Sequence, residues 1–227
     1  MRMRRKKNLE ARIADCADYL IDCENEDLNF QNAEKEKRLI DYKDVFKNDN
    51  PVVLEIGCGK GAFACAFAEQ NPEKNIIAIE KEANVIVAAC EEAMRRDIKN
   101  IKFMKCNAQY LPSYIPKHSV EAIYLNFSCP FPKAKYAKHR LTHGVFLKIY
   151  KELMTANAVI CQKTDNMHFF EFSIESLSSN GFALSNVSLD LHNSSFEGNI
   201  VTEYEERFAS QGFPIYRLEA RLKENDN

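Results

Sequence analysis

The segment Val52 to Gly61, V-V-L-E-I-G-C-G-K-G, constrains this chain more than any other. An apolar run with β-branched residues leads through an acid, Glu55, into three glycines at alternate positions, Gly57, Gly59 and Gly61. A short apolar run of this kind reads as a buried strand. Glycines directly after it let the backbone turn sharply and approach a ligand with no Cβ in the way. Beyond Gly61, the residues Ala62, Phe63, Ala66 and Phe67 follow helical spacing. Strand, glycine turn and helix in this order open a nucleotide-binding α/β unit. A glycine-rich βα turn that holds no ligand is the structural alternative.

The glycine spacing selects among nucleotides. The dinucleotide fingerprint G-x-G-x-x-G would place its third glycine one position after Gly61. The frame found here, E-x-G-x-G-x-G, resembles the S-adenosylmethionine (SAM) loop of Rossmann-like methyltransferases. A second acid, Glu80, closes the next apolar run, Ile76-Ile77-Ala78-Ile79, where a carboxylate can accept hydrogen bonds from ribose hydroxyls.

The 227 residues suffice for one large α/β domain with a substantial core. With 28% charged and 45% hydrophobic residues, the composition is that of a soluble globular protein. No apolar run approaches the roughly 20 residues that span a membrane. The basic start Met1-Arg2-Met3-Arg4-Arg5-Lys6-Lys7 is followed by polar residues, which excludes a signal peptide. Eight cysteines with no C-x-x-C pair imply reduced thiols in a cytoplasm, and Cys58, Cys65, Cys90 and Cys161 read as core residues, not zinc ligands. Net charge is −2, yet cations cluster at Arg2–Lys7 and at Lys133, Lys135, Lys138, His139 and Arg140. Such patches bind phosphate or are simply solvated surface.

Residues 1–50 read as an N-terminal extension with a helix, on the spacing of Leu9, Ile13, Cys16, Ala17 and Leu20. Residues 24–37 are strongly polar and read as an exposed loop or frayed helix. Residues 51–227 read as one domain, with strands expected near 52–56, 75–79, 101–105, 122–125, 158–162, 182–189 and 215–222. Helices are expected near 61–70, 83–96 and 142–154, with a further one after Lys163-Thr164-Asp165-Asn166. This alternation predicts a mostly parallel, doubly wound sheet with an antiparallel edge. Ligands of such sheets sit beyond the carboxyl ends of the strands, so Glu55, Glu80, Asn107, Cys129 and Asp165 are expected to converge on one cleft.

Four loops narrow the chemistry. Tyr124–Lys133 (Y-L-N-F-S-C-P-F-P-K), Lys163–Asn166 (K-T-D-N), Ser188–Asn193 (S-L-D-L-H-N) and Gly198–Phe208 (G-N-I-V-T-E-Y-E-E-R-F) occur in this order. Together they resemble the bacterial tRNA (guanine-N7-)-methyltransferase family, over about Asn50 to Arg221 and the Met1–Arg4 start. The resemblance implies a Rossmann-like SAM-dependent methyltransferase that modifies the guanine at position 46 of the tRNA variable loop. It implies SAM contacts at Glu55, Gly57, Gly59, Gly61, Glu80, Asn107 and Cys129. It implies tRNA or guanine contacts at Lys133, Asp165, Thr202, Glu203, Tyr204 and Glu205, with no metal. Oligomeric state stays open between monomer and homodimer.

Three positions depart from the family pattern. Cys129 stands where the family has a catalytic Asp, Phe131 replaces Trp, and Asn107 stands where Asp is common. Bland alternatives accompany several residues. Cys129-Pro130 also resembles the surroundings of nucleophilic cysteines in pyrimidine carbon-5 methyltransferases. Asp165 could cap the following helix, and Thr202 to Glu205 fits a T-x-x-E capping box. Lys133 could be a plain surface lysine, and His192 a structural residue. The function classes open at this stage are the tRNA enzyme, a non-catalytic tRNA-binding relative and a small-molecule methyltransferase.

Overall fold

The computed structural model describes residues 7–21, 23 and 38–223. The basic residues Arg2 to Lys6 and the polar stretch 24–37 therefore lie outside the described residues. The chain forms two compact units, Met1–Pro116 and Lys117–Asn227.

In the first unit, β1 (Leu20–Ile21), β2 (Val52–Ile56), β3 (Asn75–Glu80) and β4 (Ile101–Lys105) pair in the order β1-β4-β3-β2, all parallel. All five residues of β2 are buried, and β3 is buried from Asn75 to Ile79. Uninterrupted apolar strands of this kind belong to parallel sheets covered on both faces. The helices α1 (Leu9–Asp15), α2 (Tyr42–Phe46), α3 (Ala62–Gln70) and α4 (Ala83–Arg95) complete the unit. Helix α4 buries Ile86, Val87, Ala89, Cys90 and Ala93, whose spacing of three and four lays one apolar stripe against the sheet. Burial of each large aliphatic side chain contributes about 1.5–3 kcal/mol.

The expected N-terminal helix is shorter than its apolar spacing suggests. Helix α1 ends at Asp15, a 3-10 turn spans Ala17–Tyr19, and Leu20 and Ile21 pair with Phe103 and Met104 of β4. The open edge of β4 offers backbone partners to these residues, and that pairing overrides the helical periodicity. Helix α1 is tied to α4 by a two-pronged Arg12–Glu91 ion pair and by the fully buried Cys16 thiol, which hydrogen-bonds Cys90.

In the second unit, β5 (Val120–Asn126), β6 (Met154–Thr164), β7 (Phe182–Ser188) and β8 (Tyr216–Leu222) run in the order β5-β6-β8-β7. The β5/β6 pair is parallel, and β6/β8 and β8/β7 are antiparallel. The mostly parallel sheet with an antiparallel edge is thus present. Helices α5 (Gly144–Leu153), α6 (Met167–Ser179) and α7 (Glu203–Ala209) belong to this unit. Strand β6 starts at Met154, four residues before the sequence-based estimate, because Met154 itself pairs with Val120. Among the described residues, no helix is long and apolar enough to cross a membrane.

One side chain staples the turn between α3 and β3. The Asn100 amide donates to the carbonyls of Ala68, Asn71 and Lys74 at 2.9, 3.1 and 2.8 Å. Removing a shared donor leaves helix-end carbonyls without their partner, at about 1–3 kcal/mol. Asn100→Ala is expected to lower the unfolding free energy by that amount, measured by urea titration.

Candidate functional site

Parallel pairing brings the carboxyl ends of β2, β3 and β4 to one edge of the first unit. Ile56 lies opposite Ile79, and Glu80 opposite Lys105. The amides of Gly57 and Cys58 both donate to the carbonyl of Ile79, at 2.8 and 3.0 Å, which folds the glycine loop over the end of β3. Glu80 holds the loop from the other side. One carboxylate oxygen accepts from the Gly59 amide at 3.3 Å, the other from Lys81 and Glu82 at 2.8 and 3.0 Å. A carboxylate oxygen bonded once still accepts a second donor. Glu55 is 2% exposed, next to the loop. Burial pushes the Cys58 thiol well up, and the charges of Glu55 and Glu80 act in the same direction. Asn107 follows β4 and accepts from the Gln109 amide at 3.2 Å, capping a 3-10 turn over Ala108–Ser113. A hollow of about 300 Å³ opens beside it, lined by Lys81, Lys105, Cys106, Asn107 and Tyr110, among others.

The glycines have two different reasons to be glycine. All three have positive φ, but a Cβ on Gly57 or Gly59 would meet nothing within 4 Å. A Cβ on Gly61 would lie 2.8 Å from the Ala89 Cβ of α4. Gly61 therefore serves close helix packing, whereas Gly57 and Gly59 leave open space above their backbone. An open backbone cradle, with the Glu80 carboxylate bonded to it and Glu55 buried just before it in β2, fits a nucleoside with ribose hydroxyls, so the residues present suit SAM.

In the second unit, the ends of β5 and β6 are adjacent, Asn126 opposite Lys163. The Phe127 amide donates to the Lys163 carbonyl at 2.8 Å. The loop that follows carries two non-glycine residues with positive φ, Phe127 at 50° and Phe131 at 41°. Such conformations cost of order 1–3 kcal/mol each and persist where the surroundings enforce them. Arg140 supplies much of that enforcement, donating to the carbonyls of Pro130 and Phe131 at 2.9 and 3.1 Å. Its guanidinium also lies 4.4 Å over the Phe172 ring. Arg140 is therefore an internal strut within the basic Lys133–Arg140 cluster, where His139 also packs its ring 5.6 Å from Phe131. Cys129 is exposed in this loop, and the neighbouring Ser128 hydroxyl is buried with no hydrogen-bond partner among the described residues. Sequence reasoning passed over both Arg140 as a strut and Ser128; the positive-φ pair Phe127 and Phe131 is invisible in residue types.

Capping is resolved residue by residue. Asn166, not Asp165, caps α6, accepting from the Phe169 amide at 2.8 Å. The helix begins at Met167, so the N-cap position falls on Asn166 and leaves Asp165 one residue outside the cap. Thr202 caps α7 by accepting from the Glu205 amide at 3.2 Å. The reciprocal half of the capping box is absent, because the Glu205 carboxylate is engaged by Lys163, Asn199 and His192. His192 is thus a structural partner. Tyr204 is 46% exposed, with its ring 4.9 Å from Phe127 and 4.7 Å from Phe208. Partial burial, and then the Asp165 charge, push its phenol up. Glu203 and Lys133 are exposed.

All eight cysteines are free thiols, and Cys16, Cys58, Cys65, Cys90 and Cys106 are buried. Burial is the main reason that the Cys65 and Cys161 thiols are pushed up to about 12.

A family model described as "Putative methyltransferase" matches residues 49–218. A tRNA (guanine-N(7)-)-methyltransferase of Listeria monocytogenes serotype 4b is 47% identical over 184 residues, 81% of this chain and 86% of that protein. The protein of the same name from Streptococcus thermophilus CNRZ 1066 is 39% identical over 224 residues, 99% of this chain and 100% of its own. Among solved structures, the 16S rRNA methyltransferase KamB superposes with a TM-score of 0.60 at 15% identity, covering 81% of this chain and 93% of that one. A SAM-dependent methyltransferase from Aquifex aeolicus gives 0.52 at 14% identity, with 85% and 98% covered. At such identities the likeness is one of fold, and the fold is the Rossmann-like one of SAM-dependent methyltransferases.

The two kinds of glycine separate experimentally. Gly61→Ala is expected to lower the unfolding free energy by about 1–3 kcal/mol more than Gly57→Ala, through overpacking against Ala89. Gly57→Ala is expected to weaken SAM binding, measured by calorimetry, with the smaller loss of stability. Thiol labelling of the native protein at pH 7.5 is expected to modify the exposed Cys129 first. The five buried cysteines should react only after denaturation; rapid native labelling of Cys65 or Cys90 would contradict the packing described.

Proposed function

The chain belongs to the tRNA (guanine-N(7)-)-methyltransferase family, and on that footing we propose that it methylates N7 of the guanine at position 46 in the tRNA variable loop, with SAM as methyl donor. The observation that carries this reading is the end-to-end match to relatives of that name, joined to an open glycine cradle flanked by Glu55 and Glu80. Residues 51–227 serve as the methyltransferase domain, residues 1–50 as an N-terminal extension, and the cytoplasm as the compartment.

Glu55, Gly57, Gly59, Glu80 and Asn107 hold SAM in this reading, and Gly61 seats the loop against α4. The loop amides and the open space above Gly57 and Gly59 admit the nucleoside, and Glu80 accepts from ribose hydroxyls. Bound SAM supplies a methyl carbon on a sulfonium, an electrophile that an aromatic nitrogen lone pair can take directly. Guanine N7 carries such a lone pair in the ring plane and no proton, so no residue has to act as a strong base. The chain's contribution is positioning and the management of charge. Lys133 contacts phosphate. Asp165 and Glu203 offer carboxylates to the guanine N1–H and exocyclic amine, while Thr202 and Tyr204 shape the base site. Cys129 occupies the position of the family's acid, where a thiol replaces a carboxylate.

Cys129 also favours a second reading, a tRNA-binding relative that no longer transfers methyl groups. The deciding experiment incubates the protein with methyl-labelled SAM and unmodified tRNA transcripts carrying guanine or adenine at position 46. Label on N7 of the guanine transcript alone is the expected result; tRNA binding without label would favour the second reading, and turnover without RNA a small-molecule enzyme. Cys129→Asp is expected to raise kcat/KM roughly tenfold, about 1.4 kcal/mol of transition-state stabilisation. Cys129→Ser is expected to retain methyl transfer, which a nucleophilic cysteine would not permit.

A further inference from the structure

Glu205 belongs to the segment that the resemblance places on the substrate, yet its side chain is 0% exposed. One oxygen accepts from Lys163 Nζ at 2.6 Å. The other accepts from Asn199 Nδ2 at 2.7 Å and bonds His192 Nε2 at 3.1 Å. Lys163 directs its remaining donors to Asn199 Oδ1 at 3.0 Å and to the Ile200 carbonyl at 2.9 Å. Asn199 thus bridges both members of the ion pair, accepting from one and donating to the other. A base edge arriving at Glu205 would have to displace a bond of this closed network in a buried setting.

We propose that Glu205 is a positioning residue, not a guanine contact, and that with Lys163, Asn199 and His192 it fixes the loops that meet the RNA. This rests on the tRNA-methyltransferase reading above. The geometry explains how one ion pair can set several loops. Lys163 stands at the end of β6, two positions before Asp165, and its carbonyl holds the Phe127 amide that starts the Cys129 loop. Glu205 stands in the first turn of α7, next to Tyr204. Tyr204 in turn packs its ring on Phe127 and senses the Asp165 charge. The 163–166, 127–133 and 199–205 segments therefore share one buried fulcrum. A buried pair of this kind adds little net stability over an apolar pair, whereas removing one partner strands a charge. Its value lies in holding one arrangement.

The test compares wild type, Glu205→Gln, Lys163→Met and the double variant on two tRNA substrates, with guanine or inosine at the target position. Inosine lacks the exocyclic amine but keeps N7. A misplacement of about 1 Å costs up to roughly 10²-fold in rate. Both single variants are expected to lower kcat/KM for tRNA by up to that factor with the SAM dissociation constant unchanged. The guanine-over-inosine preference should stay within twofold of wild type. Hydrogen exchange of the 198–209 amides should quicken in both. Asn199→Ala, which leaves the ion pair in place, is the milder variant should Lys163→Met fail to fold, and it should shift tRNA kinetics and exchange in the same direction. Loss of the guanine preference in Glu205→Gln alone, with Lys163→Met near wild type, would overturn the proposal in favour of direct contact. Unchanged exchange and kinetics in all variants would overturn it outright. If wild type methylates neither transcript, the functional reading fails, and the exchange measurement alone decides whether the network holds these loops.

Discussion

In-register parallel pairing is the constraint on which the first unit's site depends. Strand β2 pairs with β3 over five residue pairs, and β3 with β4 over five more, without a slip. Parallel strands finish on the same side, so Glu55, the glycine loop, Glu80 and Asn107 arrive at one edge. A one-residue slip would turn each side chain to the opposite face and separate the two acids. The loop then depends on the strands directly, since Gly57 and Cys58 both bond the last-but-one carbonyl of β3. The acids keep the cradle polar, and the apolar burial of β2 and β3 keeps it in place.

That constraint is also why so much of the first unit was legible. Buried parallel strands leave long apolar runs, and the glycine spacing follows a backbone requirement that few other residues meet. The expected strands at 52–56 and 101–105 coincide with β2 and β4. Where the sequence misled, competing interactions of similar strength were decided by the tertiary surroundings. Leu20 fits a helical stripe and a strand edge equally, and the open edge of β4 settles it. Asp165 and Asn166 are both good caps, and the start of α6 at Met167 gives the role to Asn166. Glu205 completes a T-x-x-E pattern, but its carboxylate bonds Lys163, which lies 42 positions away. No local pattern carries a contact of that range. Arg140 illustrates the same limit, since a cation within a basic run reads as surface until its carbonyl partners are in view.

The second unit answers a different demand. Its loops must present polar groups in a defined arrangement. Hydrophobic burial is non-directional and does not fix such an arrangement. Directional bonds do, and the loops rely on them: Arg140 on the Pro130 and Phe131 carbonyls, Thr202 on α7, and the Lys163–Glu205 pair between them. Desolvating an ion pair is costly, and the cost is met only when the remaining donors and acceptors are satisfied as well. Asn199, Ile200 and His192 supply that satisfaction, so the pair is paired on every side that matters.

The same division between charge and arrangement bears on Cys129. In the proposed reading, a carboxylate at that position would carry a negative charge that a thiol lacks. The framework around the position is nevertheless intact. Phe127 and Phe131 hold their left-handed conformations, Arg140 braces the loop, and the Phe127 amide remains on β6. Guanine N7 needs no deprotonation, so the largest demand on the protein is alignment of the lone pair with the methyl carbon. The left-handed conformations at Phe127 and Phe131 sit among these bonds, so the loop keeps a defined geometry whatever the charge at Cys129. Without them, two phenylalanines in the left-handed region would relax to cheaper conformations, at a gain of order 1–3 kcal/mol each.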